Sequence, residues 1–434
     1  MRFIVENKKN VILLIVILFI CTSCKYNSIN IEVPIGSSKE EVINDVLSYD
    51  SSFDGGFLSY IYDEYGRNCL IDILSYMENN NYDKNVWHNV TGMSLNVLYD
   101  YYNNIYSDVD NVKIIDNIRD INLSFVGDIS LADDWEIMPY YDSRGKGVYG
   151  ILGEEVVNIM KSSDIMVANN EFTVSDRGAR MPNKYYTFRA FPERLSIYAE
   201  MGVDIVSIAN NHIYDYGETA FLDTLSHLKE YDIPYVGAGV NRKEATKPYY
   251  FIANGYKIAF IAATRAEKYI LTPEATDASS GVFRAYDPTL LIETISEVKK
   301  SSDYVIVLMH WGREDSHELE QVQIDTGKMY IDAGADLIVG SHAHVLQGME
   351  FYNGKLIAYN LGDFIFNRET KDTGILSVTI NNDGNMSYEF IPCFQSNFKT
   401  ILLEGNDKLR VINDMRSYSI NTTFDNDGKF YVTN

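Results

Sequence analysis

The chain has 434 residues, of which 61 are acidic and 37 are basic, so its formal net charge is −24. Hydrophobic residues make up 46% and charged residues 23% of the sequence, which excludes a wholly disordered, collagen-like or multi-span membrane protein, and the length predicts two or three domains. The acidic balance argues against a nucleic-acid partner, which needs a basic surface, and four cysteines are too few for a disulfide scaffold.

Residues 1–24 have the pattern of an export signal. Arg2 and other basic residues precede an apolar run from Val11 to Cys21, which is shorter than the roughly 20 residues that a transmembrane helix needs. The small residue before Cys24 resembles a bacterial lipoprotein signal, in which Cys24 becomes the lipidated first residue; an uncleaved anchor is the alternative. Both predict a body tethered to the extracytoplasmic face of the bacterial cell membrane.

Two regions follow the signal before the pattern of the chain changes. Residues 25–36 are a polar tether, and the sequence Ser-Ser-Lys-Glu-Glu from Ser37 predicts a capping box that starts a helix. Patchy helical periodicity then predicts a small helical domain over residues 37–120, whose function the sequence does not indicate. After signal cleavage the remaining thiols would be Cys69 and Cys393, and whether they pair stays open.

From residue 121 onward, apolar strands alternate with helices, which predicts α/β layers. The predicted strands cover 121–126, 165–168, 203–209, 250–253, 257–263, 304–309, 336–339 and 356–359, and the predicted helices cover 151–161, 192–201, 218–231, 288–300 and 319–333. Asn-Gly or Asp-Gly pairs at 254–255, 353–354 and 383–384 predict hairpins, so antiparallel strands join the sheets. The pattern weakens near the end, and residues 396–434 are expected to be a C-terminal tail.

Polar side chains follow these apolar strands at their carboxyl ends. They are Asp128, Glu171, Asn211, His212, His310, His342 and His344. Open α/β sheets bind ligands at this edge, so the concentration of four of the seven histidines there predicts a metal-binding or catalytic cluster. Carboxylate, amide and imidazole ligands suit Zn, Mn or Fe ions, and a pair of such ions can clamp a phosphoryl or carbonyl oxygen.

The order of these motifs resembles that of the calcineurin-like metallophosphoesterases and, more narrowly, the CapA/PgsA family of capsule biosynthesis proteins, which is associated with poly-γ-glutamate. The narrower resemblance is carried by Ala-Asn-Asn-His with Asp-Tyr-Gly at 209–217, His-Trp-Gly-x-Glu at 310–314, Ala-Gly-Ala-Asp at 333–336, His-Val-Leu-Gln at 344–347 and Asn-Leu-Gly-Asp-Phe at 360–364. It covers roughly residues 121–392. It implies a four-layer α/β/β/α metallophosphoesterase sandwich over residues 121–395.

The resemblance also implies a site. One or two divalent ions would be held by Asp128, Glu171, Asn211, His310, His342 and His344. His212 corresponds to the histidine that protonates the leaving group in the phosphoesterases.

Two departures from the phosphoesterase pattern concern the metal ligands. The first motif reads Asp-Ile-Ser at 128–130 where phosphoesterases have Asp-x-His, and Glu171 stands where a bridging Asp is expected. Both changes are shared by the capsule family. Because Ser130 lacks an imidazole, we expect one firm ion and a second, weaker position completed by His344 and Asp128. Hydrolysis of simple phosphodiesters should then be slow or absent.

A basic segment begins shortly after Glu171. Its cations are Arg177, Arg180, Lys184, Arg189 and Arg194. The segment predicts either a solvated loop or a patch that holds an anionic polymer, since arginine pairs with carboxylate in a fork geometry.

Two functions stay open at this point. The first is a membrane-tethered component of capsule synthesis or export that handles poly-γ-glutamate, or a similar acidic polymer, together with membrane synthase and export components. The second is a secreted metal-dependent phosphoesterase or other hydrolase. His212 and His310 favour an enzyme, whereas Ser130 and the basic segment favour polymer handling, so the sequence does not decide whether the chain is an enzyme.

Overall fold

The structure is a computed structural model that describes residues 37–79, 82–105, 110–115, 120–267 and 271–433. The predicted signal with Cys24 and the polar tether lie outside these residues. None of the helices in the described ranges is long and apolar enough to span a membrane. The chain divides into unit 1, which comprises Met1–Ile118 and Ile252–Lys257, and unit 2, which comprises Arg119–Phe251 and Ile258–Asn434.

Unit 1 contains a cluster of helices. Its elements are α1 (Lys39–Tyr49), α2 (Gly55–Tyr65), α3 (Arg67–Glu78), α4 (Asn85–Thr91), α5 (Leu95–Tyr102) and the strand β1 (Val112–Ile115). The predicted capping box is confirmed, because the Ser38 hydroxyl accepts from the Glu41 amide at 3.2 Å and the Glu41 carboxylate accepts from the Ser38 amide at 2.6 Å. Buried apolar side chains, among them Phe57, Leu70 and Trp87, form the core of this cluster.

The remaining elements alternate as the sequence predicts. The strands are β2 (Ile121–Ile129), β3 (Ile165–Asn170), β4 (Thr173–Val174), β5 (Arg189–Ala190), β6 (Ile205–Ser207), β7 (Tyr235–Val236), β8 (Ala238–Gly239), β9 (Tyr249–Ala253), β10 (Tyr256–Thr264), β11 (Gly281–Val282), β12 (Tyr304–His310), β13 (Leu337–Ser341), β14 (Leu346–Tyr352), β15 (Lys355–Leu361), β16 (Asp363–Ile365), β17 (Lys371–Ile380), β18 (Met386–Ser396), β19 (Lys399–Leu402), β20 (Thr422–Phe424) and β21 (Lys429–Val432). The helices are α6 (Ile137–Arg144), α7 (Glu154–Ser162), α8 (Ser196–Met201), α9 (Gly217–Glu230), α10 (Arg242–Ala245), α11 (Thr289–Lys299), α12 (Gln321–Asp332) and α13 (Gly405–Tyr418), with 3-10 turns at Gly147–Gly150 and Pro192–Leu195.

Two β-sheets pack face to face. The first has the order β9-β10-β12-β13-β15-β14 and is parallel from β10 to β15, and the second has the order β20-β21-β18-β17-β2-β3-β6-β7. Strands β2 and β17 of the second sheet contact β15 of the first. Apolar side chains of α11 and α12 cover the outer face of the first sheet, and those of α7, α8 and α9 cover the second. This confirms the expected α/β/β/α layers.

The predicted hairpins and the C-terminal region have different outcomes. The turns at Asn254-Gly255 and Asn353-Gly354 have positive φ at both residues, as Asn-Gly hairpins require.

The residues expected to form a C-terminal tail are instead part of the fold. They add β19 and β21 to β18, and they form the helix α13. That helix buries Val411, Ile412 and Met415 against the sheet, although most of its residues are polar.

Candidate metal centre

The predicted ligands converge at the carboxyl edge of the two sheets. In each of three groups the ligand atoms lie within 4.8 Å of one another: Glu171 with His342 and His344, Asp128 with Glu171 and His310, and Asp128 with His344 and Asp363. The side chain of Asn211 joins the cluster through His310, whose Nε2 lies 2.7 Å from the Asn211 Oδ1. The structure therefore brings together all six predicted ligands and adds Asp363.

A close approach of two backbone segments places Asp363 beside Asp128. Strand β16 runs parallel to β2 and pairs Asp363 with Asp128, and the Asp128 amide donates to the Gly362 carbonyl at 3.0 Å. A Cβ atom at Gly127 would lie 1.8 Å from that carbonyl oxygen, so only glycine permits the approach. The signal in the sequence was the Asn-Leu-Gly-Asp motif, which follows a strand in the same way as the other ligand motifs.

The two histidines after β13 have left-handed backbones. His342 has φ 96° and His344 has φ 58°, a conformation that non-glycine residues seldom adopt. Contacts with the cluster hold it: the His342 amide donates to Asp128 Oδ2 at 3.1 Å, and His344 Nδ1 lies 2.7 Å from Asp363 Oδ1. Such local strain persists where the surroundings over-determine it and clusters at functional sites.

An amide side chain organises the buried carboxylates. The Asn169 Nδ2 donates to Asp128 Oδ1 at 2.8 Å and to Glu171 Oε2 at 3.2 Å, and its own carbonyl accepts from Asn210 at 3.2 Å. Burial and the neighbouring carboxylates raise the pKa of Glu171 well above its usual value, and burial raises that of Asp128. The cluster thus concentrates negative charge whose burial is costly without a cation. No specific signal in the sequence indicates this role of Asn169.

The donor set fits a divalent metal ion. The Glu171 Oε1 and the His342 Nδ1 are buried without a hydrogen-bond partner in the described part of the chain, and Glu171 Oε1 lies 3.7 Å from His310 Nε2. Burial lowers the pKa of His310 and of His342 well below the usual value, so both imidazoles are neutral at neutral pH. Neutral imidazoles such as these two, beside carboxylate oxygens, are donors that a transition metal in mixed N/O coordination requires. His344 differs, because burial lowers its pKa but the carboxylates of Asp363 and Asp128 outweigh this and raise it to about 9.

His212 lies at the rim of this cluster, and its ring is held by Asp215. Its Nδ1 is 2.7 Å from Asp215 Oδ2, while its Nε2 is directed at Glu171 Oε1, 4.0 Å away. Burial lowers the pKa of His212, although the Asp215 carboxylate opposes this shift. A second contact holds Asp215 itself, because Lys184 Nζ lies 2.7 Å from its Oδ1. The arrangement resembles a proton donor with a fixed orientation, and Asp215 and Lys184 are supporting residues whose contacts the sequence did not reveal.

The five cations of the basic segment all have partners. Arg177 pairs with Asp223, Arg180 with Asp134, Lys184 with Asp215, and Arg194 with Asp133 and Asp142, while Arg189 lies over the ring of Tyr216. The side chains of Arg177 and Arg180 are 64% exposed, whereas that of Lys184 is 4% exposed. These contacts neutralise part of the segment's charge, and its role in polymer binding stays a prediction. Lys184 is inaccessible to a polymer on this surface.

Comparison with known proteins gives consistent results. A family model described as "Bacterial capsule synthesis protein PGA_cap" matches residues 122–368. The chain is 32% identical over 277 residues to the "PGA biosynthesis protein CapA" of Bacillus subtilis, covering 63% of this chain and 71% of the relative. It is 32% identical over 243 residues to the "Capsule biosynthesis protein CapA" of Bacillus anthracis, covering 54% of this chain and 58% of the relative.

A more distant relative is a Mycobacterium tuberculosis protein named as a probable polyglutamine synthesis accessory protein. The identity is 27% over 213 residues, covering 47% of this chain and 56% of the relative. The family model spans more than half of the chain and includes every residue of the candidate metal cluster, from Asp128 to Asp363. The chain therefore belongs to the PGA_cap family of bacterial capsule synthesis proteins, the family that its strand-end motifs resemble.

Proposed function

We propose that this protein is a membrane-tethered, metal-binding component of poly-γ-glutamate capsule synthesis or export on the extracytoplasmic face of the cell. Capsule synthesis is supported by the names of the relatives from Bacillus subtilis and Bacillus anthracis, and the class of polymer is supported by the term PGA in the name of the Bacillus subtilis relative. The tether is supported by the lipoprotein-like signal that ends at Cys24. Its partners would be the membrane synthase and export components together with the polymer.

The metal-binding part of the proposal is carried by one observation: Glu171 Oε1 and His342 Nδ1 are buried and have no hydrogen-bond partner among the described residues. A firm ion, Mn, Zn or Fe, would be held by Glu171, His310 and His342 with the Asn211 carbonyl oxygen. When bound, such an ion supplies Lewis acidity that polarises a carbonyl or phosphoryl oxygen. The poly-γ-glutamate chain carries both carbonyl and carboxylate oxygens, so the cluster would grip the polymer through them.

The chain's own residues supply the remaining functions of this site. The Asn169 side chain donates hydrogen bonds to the carboxylates of Asp128 and Glu171 and so fixes their positions relative to each other. Asp215 fixes the His212 ring so that its Nε2 faces the cluster, where it can donate a proton to or accept one from a bound group. The low exposure of Asp128, Glu171 and His310 excludes bulk water, which strengthens each electrostatic contact there.

The proposal is tested with the full-length protein and one matched pair of substitutions. In the bacterium that carries the chain, we expect His342→Ala to abolish both bound metal and polymer output, because it removes an imidazole from the cluster. His227→Ala is the control, since the His227 side chain is half-buried on α9 and its ion-pair partner, Glu230, lies outside the cluster. Metal is measured by elemental analysis of the purified protein, and polymer is measured in the capsule fraction. Normal polymer output from the metal-free His342→Ala strain would contradict the proposal.

A second candidate is favoured by the His212–Asp215 pair. A histidine held by a carboxylate, with its other nitrogen directed at a metal cluster, suits hydrolysis in which the leaving group takes a proton. Brisk turnover of a generic phosphodiester by the Mn- or Zn-loaded protein, lost in His212→Ala with metal content unchanged, would establish this hydrolase. Slow or absent turnover is expected if the main proposal is correct.

A further inference from the structure

We propose that Asp363 supplies the metal ligand that Ser130 cannot, so that the chain binds a second divalent ion between Asp128, His344 and Asp363. This inference rests on the proposed metal-binding function and deepens it. The sequence predicts a weak second metal position. With Asp363 as a ligand, that position would instead be complete, with two carboxylates and one imidazole.

The Ser130 side chain takes no part in the cluster. Its hydroxyl is buried and has no hydrogen-bond partner among the described residues, although its backbone amide is held by the Ile365 carbonyl at 2.7 Å. A serine hydroxyl is also shorter than an imidazole and is a poor ligand for a transition metal. The position that a histidine would fill therefore needs a donor from elsewhere in the fold.

Asp363 lies where such a donor is needed. It is fully buried, it pairs with Asp128 across β16 and β2, and its ligand atom lies within 4.8 Å of those of Asp128 and His344. One of its oxygens contacts His344 Nδ1 at 2.7 Å, and the other is buried without a hydrogen bond in the described ranges. A buried carboxylate close to a second carboxylate and an imidazole offers a metal ligand set in mixed N/O coordination.

The charge around Asp363 favours a cation in addition to the nearest lysine. Lys371 Nζ is 3.4 Å from Asp363 Oδ2, but it lies closer to Glu369, at 3.0 Å, and to Asp315, at 3.1 Å. One ammonium is thus shared among three carboxylates, while Asp128 beside Asp363 is fully buried too. The His344 ring also faces both carboxylates, with its Nδ1 2.7 Å from Asp363 Oδ1 and 3.5 Å from Asp128 Oδ2. Burying two neighbouring carboxylates is nevertheless costly, and a divalent ion between the two aspartates would offset that cost.

The test counts ions in the full-length protein. We expect the unmodified chain, stripped and reloaded with Mn²⁺, to hold about two ions, close enough to show a coupled-pair signal in electron paramagnetic resonance. Asp363→Asn should lose one ion and the coupled signal while retaining the other ion. The matched control is Asp383→Asn, an exposed aspartate in the β17–β18 turn, which should keep both ions.

A rescue variant separates a metal ligand from a residue that merely orients His344. Adding Ser130→His to Asp363→Asn returns an imidazole to the vacant position, so we expect the second ion and the coupled signal to return. Circular dichroism of each variant checks folding. If Asp363→Asn is insoluble, Asp363→Ser removes the same carboxylate. The ion count of the unmodified chain still decides whether a second ion is bound.

Several results would overturn the inference. Two ions in Asp363→Asn would show that Asp363 is not a ligand, and failure of the Ser130→His rescue in a folded double variant would assign it to orienting His344. One ion in the unmodified chain, with a second gained in Lys371→Met, would identify the lysine ammonium as the cation of this position. These results leave the firm ion, and with it the proposed function, intact, whereas absence of any bound ion in the unmodified chain would overturn both.

Discussion

Replacing Lys184 by Met tests whether the stability of the fold depends on the buried ion pair between Lys184 and Asp215. The Lys184 side chain is 4% exposed and its Nζ lies 2.7 Å from Asp215 Oδ1, while the other Asp215 oxygen holds His212. The Asp215 side chain has no exposed surface. Lys184→Met therefore leaves a buried carboxylate without its cation, next to the ring that faces the cluster.

The expected loss of stability in Lys184→Met follows from the burial of the Lys184–Asp215 ion pair. Removing one partner of a buried ion pair costs about 3–5 kcal/mol, because the remaining charge is desolvated and uncompensated. Unit 2 has roughly 300 residues, so an unfolding entropy of about 2.1 cal/mol/K per residue gives roughly 0.6 kcal/mol per kelvin. We therefore expect the unfolding midpoint of Lys184→Met to fall by about 5–8 °C.

The assay is differential scanning calorimetry of the full-length protein, with Arg180→Met as the matched control. The Arg180 side chain is 64% exposed and its contact with Asp134 is 3.4 Å long, so its loss should cost less than about 1 kcal/mol. A second variant, Lys184→Met combined with Asp215→Asn, removes the uncompensated charge and should regain most of the lost stability. A midpoint shift in Lys184→Met no larger than that in Arg180→Met would refute the argument.

Four further predictions follow from the same features. Cys24→Ala should abolish labelling of the protein with a radioactive fatty acid, and persistent labelling would exclude Cys24 as the lipidated residue. Gly127→Ala should lower metal content and stability, because its Cβ would lie 1.8 Å from the Gly362 carbonyl and force Asp128 away from its neighbours; overpacking of this kind costs about 1–3 kcal/mol, and unchanged metal content by elemental analysis would contradict it. Arg180→Ala with Arg189→Ala should weaken poly-γ-glutamate binding in calorimetric titration with metal content intact, and equal affinity would show that the polymer does not bind this segment. Chelation of the proposed metal should lower the unfolding midpoint, since a ligand bound to the native state stabilises it, and an unchanged midpoint would argue against metal binding by the native state.

Short-range patterns in the sequence were enough to predict the layers of unit 2 and the positions of most ligands. Alternating strands and helices predict α/β layers, and Asn-Gly pairs predict tight hairpins, because both depend on residues close together in the chain. The strand-end histidines were identifiable for a similar reason: parallel strands end at one edge of a sheet, so His310 and His342 had to lie near each other. The types of these strand-end residues predicted a metal, and the family's motifs added which residues would hold it. The buried Glu171 oxygen, which has no hydrogen-bond partner among the described residues, supports that prediction.

Tertiary structure alone decided the features that depend on contacts between distant residues. Asp363 becomes part of the cluster because Gly127 has no side chain and the backbone of Gly362 can therefore approach it closely. No local pattern predicts contact between two glycines that are 235 positions apart in the chain. From the sequence, Lys184 was expected to be a surface cation, because the charge of a residue does not indicate whether it is buried. In the fold, its side chain is buried against Asp215. The C-terminal helix was also missed. Its apolar face is short, and a helix of this kind is stabilised mainly by packing, in this case against the neighbouring strands.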